Sequence, residues 1–115
     1  MANRQYCLTL NLFDDEELIS EYERYHQSGN VWPEVLDSIR DSGILSMNIY
    51  RLGTCLCMVM EVDEQFCFEA KVESDKHNPK VQEWEKLMEK FQNPRNGLAS
   101  QQKWQLMSSV FTLNS

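Results

Sequence analysis

The stretch ILSMNIYRLGTCLCMVMEV, from Ile44 to Val62, decides the architecture. Two β-rich runs, Ile44 to Leu52 and Thr54 to Val62, flank Gly53. A lone glycine between such runs is a turn signal, so the pattern predicts a β-hairpin. Along the second run Leu56, Met58, Met60 and Val62 form one apolar row, and Cys55, Cys57, Val59 and Glu61 stand on the other. Along the first, Ser46, Asn48 and Tyr50 share a face opposite Met47, Ile49 and Arg51. Successive strand residues point to opposite faces, so these rows are faces of one sheet.

Upstream, Tyr6 to Leu12 alternates in the same way, with Leu8, Leu10 and Leu12 as the inward row and Cys7, Thr9 and Asn11 on the other face. Asp14 followed by Glu17 is a capping-box spacing and predicts a helix start. That helix carries Leu18, Tyr22, Tyr25 and His26 on or near one stripe and stops at Ser28-Gly29. Pro33 suits the first turn of a second helix, whose apolar positions are Trp32, Val35, Leu36 and Ile39. Downstream of the hairpin, Asp63 to Lys76 predicts a helix with Phe66 and Ala70 facing inward. Asn78-Pro79 opens a stronger one, with Val81, Trp84, Leu87, Met88 and Phe91 at helical spacing. Residues 93–97 form a loop, 98–106 give no clear signal, and Val110 to Leu113 predicts a last short strand.

The order is β, α(α), β, β, α(α), β, the ferredoxin-like split βαβ pattern, an α+β fold in which helices cover one face of an antiparallel sheet. The 115 residues make one domain, 1–115. The other sheet face is read as carrying Cys, Met, Asn and Tyr and is most simply buried by a second copy, so a homodimer is expected.

A net charge of −7 argues against nucleic acid or an anionic membrane surface as partner. No apolar run reaches a membrane span, and nothing after Met1 to Gln5 resembles a signal peptide. Of the four cysteines, Cys55 and Cys57 point to one side of a strand and Cys7 lies in another. Free thiols in a cytoplasmic protein are expected, without a zinc site, because C-x-C lacks a second ligand pair.

Chemistry has few candidates. Tyr22 and His26 lie four apart, hence side by side on one helix face. An imidazole exchanges protons near neutrality, so His26 is the first candidate for proton transfer. The alternative is a half-buried ring that caps the helix end, with Tyr22 as core. Trp84 belongs to a packing row, but its ring could equally form the wall of a sugar pocket, and Glu85 beside it could reach a hydroxyl. His77 precedes Asn78-Pro79 in a polar segment and is read as solvated. No nucleotide-binding, zinc-protease or serine-hydrolase signature is present.

The set E-Y-x-x-Y-H at 21–26, W-P-E at 32–34, N-I-Y at 48–50 and V-Q-E-W-x-K-L-M at 81–88, with a weaker V-F at 110–111, resembles the L-rhamnose mutarotase family. The resemblance implies a dimeric ferredoxin-like α/β barrel that interconverts the anomers of a 6-deoxy-L-sugar without metal or organic cofactor. It also implies that His26 donates the proton, that Tyr22 binds sugar, and that Trp84 lines the pocket. Departures are two extra residues between His26 and Trp32, Met47 in place of a tyrosine, and Glu85 in place of a second tryptophan. The two substitutions fall at sugar-contacting positions, so L-fucose competes with L-rhamnose as substrate. Two other readings stand beside it. One is a haem-binding or small-aromatic-oxidising member of the same barrel class, with His26 or His77 as ligand. The other is a non-catalytic ligand-binding or assembly domain in which His26 and Trp84 are core.

Overall fold

The computed structural model describes residues 4–94 and 103–113. The order is β1 (Arg4–Asn11), α1 (Glu16–Tyr25), α2 (Pro33–Asp41), β2 (Ile44–Leu52), β3 (Cys55–Val62), α3 (Phe68–Lys76), α4 (Pro79–Met88) and β4 (Gln105–Leu106). The strands form one antiparallel sheet in the order β2-β3-β1-β4. This is the expected split βαβ arrangement. The hairpin turns at Gly53, where φ is 61°, a conformation that glycine adopts without strain.

One sheet face meets the helices. Leu8 and Leu10 of β1, Leu12 just after it, and Leu56, Met60 and Val62 of β3 are buried there, together with Tyr22, Val35, Val81, Trp84, Met88 and Phe91. The register sets Tyr50 against Cys57 and Thr9 against the same residue, so these side chains share the other face. There Tyr50 and Leu52 are 61% and 85% exposed. All four cysteines are free.

At the junction of α2 and β2, Gly43 has φ +97°, and a Cβ built on it would lie 2.7 Å from Asp63 Oδ1. The Gly43 carbonyl accepts from the Asp63 N–H at 2.9 Å, which ties the helix end to the far end of β3. Immediately after it, Ile44 is buried, and the pairing with β3 shifts register between Ile44 and Ser46.

Several expectations change. The cap of α1 is Asp15 rather than Asp14, because its carboxylate accepts from the N–H groups of Glu17 and Leu18. The helix ends at Tyr25, and His26 is its C-cap. The third helix starts at Phe68 rather than Asp63. Asp63 Oδ1 takes the Gln65 N–H, and the Arg4 guanidinium takes the Phe66 carbonyl, which hold 63–67 as a turn. Phe66 is buried as expected, but Ala70 is exposed.

The last strand is Gln105–Leu106, paired with Leu8 and Thr9, not Val110 to Leu113. Val110, Phe111 and Leu113 are 96%, 77% and 80% exposed. The final V-F of the resemblance therefore lies outside the sheet. β-rich composition makes a strand only where a neighbour is in reach. The 93–97 loop and the unassigned 98–106 segment lie partly outside the described residues.

Candidate active site

A cavity of about 250 Å³ lies between the helices and the sheet. Met47, Ile49, Met58 and Met60 form its sheet wall, and Phe66, Phe68 and Trp104 add aromatic surface. Polar groups gather in two places along this apolar chamber.

The first group is carried by α1, α4 and the residues just after α4. The fourfold spacing stacks the Tyr22 and His26 rings, with centroids 4.2 Å apart. Trp84 stands edge-on to His26 at 5.6 Å, and Trp32 packs on Trp84 at 5.3 Å. His26, Trp84, Glu85 and Gln92 all line the cavity, with Tyr22 buried directly behind the imidazole. Of the four residues singled out by sequence, all come together at this end.

His26 Nδ1 lies 2.8 Å from the Tyr22 carbonyl oxygen. A carbonyl can only accept, so Nδ1 carries the hydrogen and Nε2 is left with its lone pair. Among the described residues Nε2 has no partner. Burial lowers the imidazole below its ordinary pKa, and the Tyr22 carbonyl opposes that shift. The ring is thus neutral at pH 7 and ready to take a proton. It also caps the helix, so the capping reading and the site reading describe the same side chain.

Burial pushes the Tyr22 phenol up to about 12; a hydrogen bond from Gln92 lowers it in part, and the Glu85 charge adds to the rise. Tyr22 is therefore a neutral hydroxyl at any physiological pH. Glu85 Oε1 pairs with Lys103 Nζ at 3.1 Å, and the Lys103 side chain is only 2% exposed. The same ammonium donates to the Glu85 carbonyl at 3.4 Å.

The second group is Ser38, Lys71 and Asp75. Lys71 Nζ contacts both Asp75 carboxylate oxygens, at 2.9 and 2.8 Å, and the Ser38 hydroxyl donates to Asp75 Oδ1 at 3.0 Å. Gln82 Nε2 donates to the Asp75 carbonyl at 2.8 Å. Sequence reasoning missed these residues, and Gln92, Lys103 and Trp104 as well. The i, i+4 spacing of Lys71 and Asp75 was their one available signal. His77 is exposed and pairs with Glu73 at 2.8 Å, as its solvated reading expected. Among the described residues no group of three or more His, Cys, Asp or Glu side chains is arranged to hold a metal ion. No helix there is long and apolar enough to cross a membrane.

Comparison with known proteins places this geometry. A family model described as L-rhamnose mutarotase matches residues 5–113. An L-fucose mutarotase of Xanthomonas campestris is 40% identical over 114 residues, 99% of this chain and 91% of its own. A UPF0734 protein of Dictyostelium discoideum is 37% identical, over 96% of this chain and 90% of its own. The crystal structure of an L-rhamnose mutarotase from Formosa agariphila superposes with a TM-score of 0.70 at 15% identity. That superposition covers 96% of this chain and 98% of the other, which establishes the shared fold.

Proposed function

The chain belongs to the L-rhamnose mutarotase family, and from that footing we propose that it interconverts the α and β anomers of a 6-deoxy-L-hexose, L-fucose ahead of L-rhamnose. It is an isomerase. The 40% identity to an L-fucose mutarotase along nearly the whole chain supports the order of substrates. Met47 and Glu85, where the rhamnose enzymes carry aromatic residues, support it further.

The observation that carries the mechanism is the neutral His26 ring, its Nδ1 held by the Tyr22 carbonyl and its edge on the cavity. Nε2 takes the proton of the anomeric hydroxyl as the carbonyl forms and the bond from the anomeric carbon to the ring oxygen breaks. The imidazolium then gives that proton to the ring oxygen, and the open-chain hydroxyaldehyde results. Rotation about the bond between the first two carbons turns the carbonyl over, and the same steps in reverse close the ring on its other face. Such a proton shuttle contributes about 10²–10⁴-fold. The Trp84 ring covers an apolar sugar face and Glu85 accepts from a hydroxyl, while Tyr22, buried behind the imidazole, acts on the sugar through His26, whose Nδ1 its carbonyl holds. No step requires a cofactor.

The uncovered sheet face, with Tyr50 and Leu52 exposed, supports a homodimer in which two sheets pack face to face. The four free thiols support a reducing, cytoplasmic setting. Saturation-transfer NMR between the anomeric signals of L-fucose and of L-rhamnose tests the activity. Exchange of neither sugar above the buffer rate would sink it. Sedimentation of a single 13.6 kDa species at micromolar concentration would sink the dimer.

A further inference from the structure

One acceptor in the cavity wall is buried and unused. Gln92 follows α4, and its backbone is fixed from two sides: its N–H donates to the Met88 carbonyl at 3.2 Å, and it bridges to Leu12, the residue after β1. The residue is 4% exposed and lines the cavity. Its amide reaches the Tyr22 hydroxyl, yet Oε1 has no hydrogen-bond donor among the described residues. An unpaired buried acceptor destabilises a fold, so a glutamine here is poorly explained by packing. A methionine would fill the same space with no such penalty.

We propose that Gln92 is a specificity-determining residue, whose Oε1 accepts a hydrogen bond from the sugar hydroxyl on the carbon next to the anomeric centre. This rests on the mutarotase reading. The position follows from neighbours: the amide touches the phenol of Tyr22, and the Tyr22 ring stacks on His26 at 4.2 Å. The amide therefore sits at the end of the cavity where protons move. At that end of the sugar, His26 serves the anomeric and ring oxygens. The next oxygen along the ring is the 2-hydroxyl; Glu85 at this end is already paired with Lys103, whereas Gln92 Oε1 has no donor among the described residues and is the acceptor assigned to it. An enzyme group built to receive a hydroxyl discriminates against the analogue that lacks it, because the group is then stranded without a partner.

The test compares anomer exchange of L-fucose and 2-deoxy-L-fucose, each above its own buffer rate, in wild type and Gln92→Met. Wild type is expected to favour L-fucose by about 10- to 100-fold in kcat/KM, and Gln92→Met to bring the two sugars within about threefold of each other. The loss should fall on L-fucose while the 2-deoxy sugar is little changed. The melting temperature of the variant should be equal or higher, since an orphaned acceptor has been removed. Equal losses on both sugars, or an unchanged ratio, overturn the assignment. So does a wild type that treats the two sugars alike, a result that needs no variant to fold. A wild type that exchanges neither sugar overturns the mutarotase reading and this assignment with it.

Discussion

The two polar clusters along the cavity differ in what they leave over. Ser38, Lys71 and Asp75 satisfy one another: the ammonium spans both carboxylate oxygens and the hydroxyl donates to one of them. Tyr22, His26 and Gln92 do not. Among the described residues the histidine keeps a lone pair and the glutamine an orphaned oxygen. The first cluster fastens α2 to α3 across the rim of the cavity, and the second is the one proposed to meet the sugar. Polar side chains in a cavity therefore do not mark a site by their presence. Unspent hydrogen-bonding capacity marks it.

Four measurements press on that contrast. The largest effect is expected at His26: His26→Gln should lower the catalysed exchange rate by about 10²–10⁴-fold. The same change should cost less than about 2 kcal/mol of stability. Near-wild-type exchange in a folded His26→Gln would erase the distinction between the clusters. Tyr22→Phe keeps the stacked ring and removes only the hydroxyl, and is expected to cost about tenfold in kcat/KM. An unchanged rate would move Tyr22 to the packing side of the comparison.

Asp75→Ala tests the closed cluster from the other direction. It strands a half-buried ammonium and should destabilise by about 1–3 kcal/mol in urea unfolding. Exchange per folded molecule should stay within about threefold of wild type, because that cluster serves the fold. A collapse of activity without loss of stability would place Asp75 in the site.

The smallest effect is with pH. The folded imidazole of His26 is harder to protonate than the unfolded one. Between its lowered pKa and the unfolded value of about 6.5 the unfolded chain holds more protons, so stability rises with pH there and levels off above. In the proposed mechanism the same neutral ring is the active form, so kcat/KM should fall only on the acid side. Subtracting the His26→Gln profile from wild type isolates both slopes. A difference of opposite sign would contradict the neutral, Nδ1-protonated ring.

Sequence reading reached the parts of this picture that are local. Tyr22 and His26 were legible because four residues on a helix fix their juxtaposition without help from the rest of the chain. Trp84 was legible as a packing residue and is one, buried among Tyr25, His26 and Trp32 while also lining the cavity. Gln92 was not legible: it lies past the end of a helix, and only the bridge to Leu12 brings it behind the phenol. Lys103 escaped for the same reason, since its partner Glu85 is eighteen positions away. The last strand was misplaced because Val110 to Leu113 is richer in β-forming residues than Gln105–Leu106. Reach decided otherwise, as Leu106 arrives opposite Leu8 on the free edge of β1.

The corner at Gly43 limits how this enzyme can be re-engineered. Even a methyl group there would collide with the Asp63 carboxylate and would have to adopt a backbone angle that side chains avoid. Relief of that clash would tilt Ile44, which is part of the chamber wall. A library that widens the chamber for bulkier sugars should therefore randomise Met47 and Met58, whose flexible thioethers can shrink without moving the main chain. Diversity introduced at residue 43 would spend stability in every variant without enlarging the chamber.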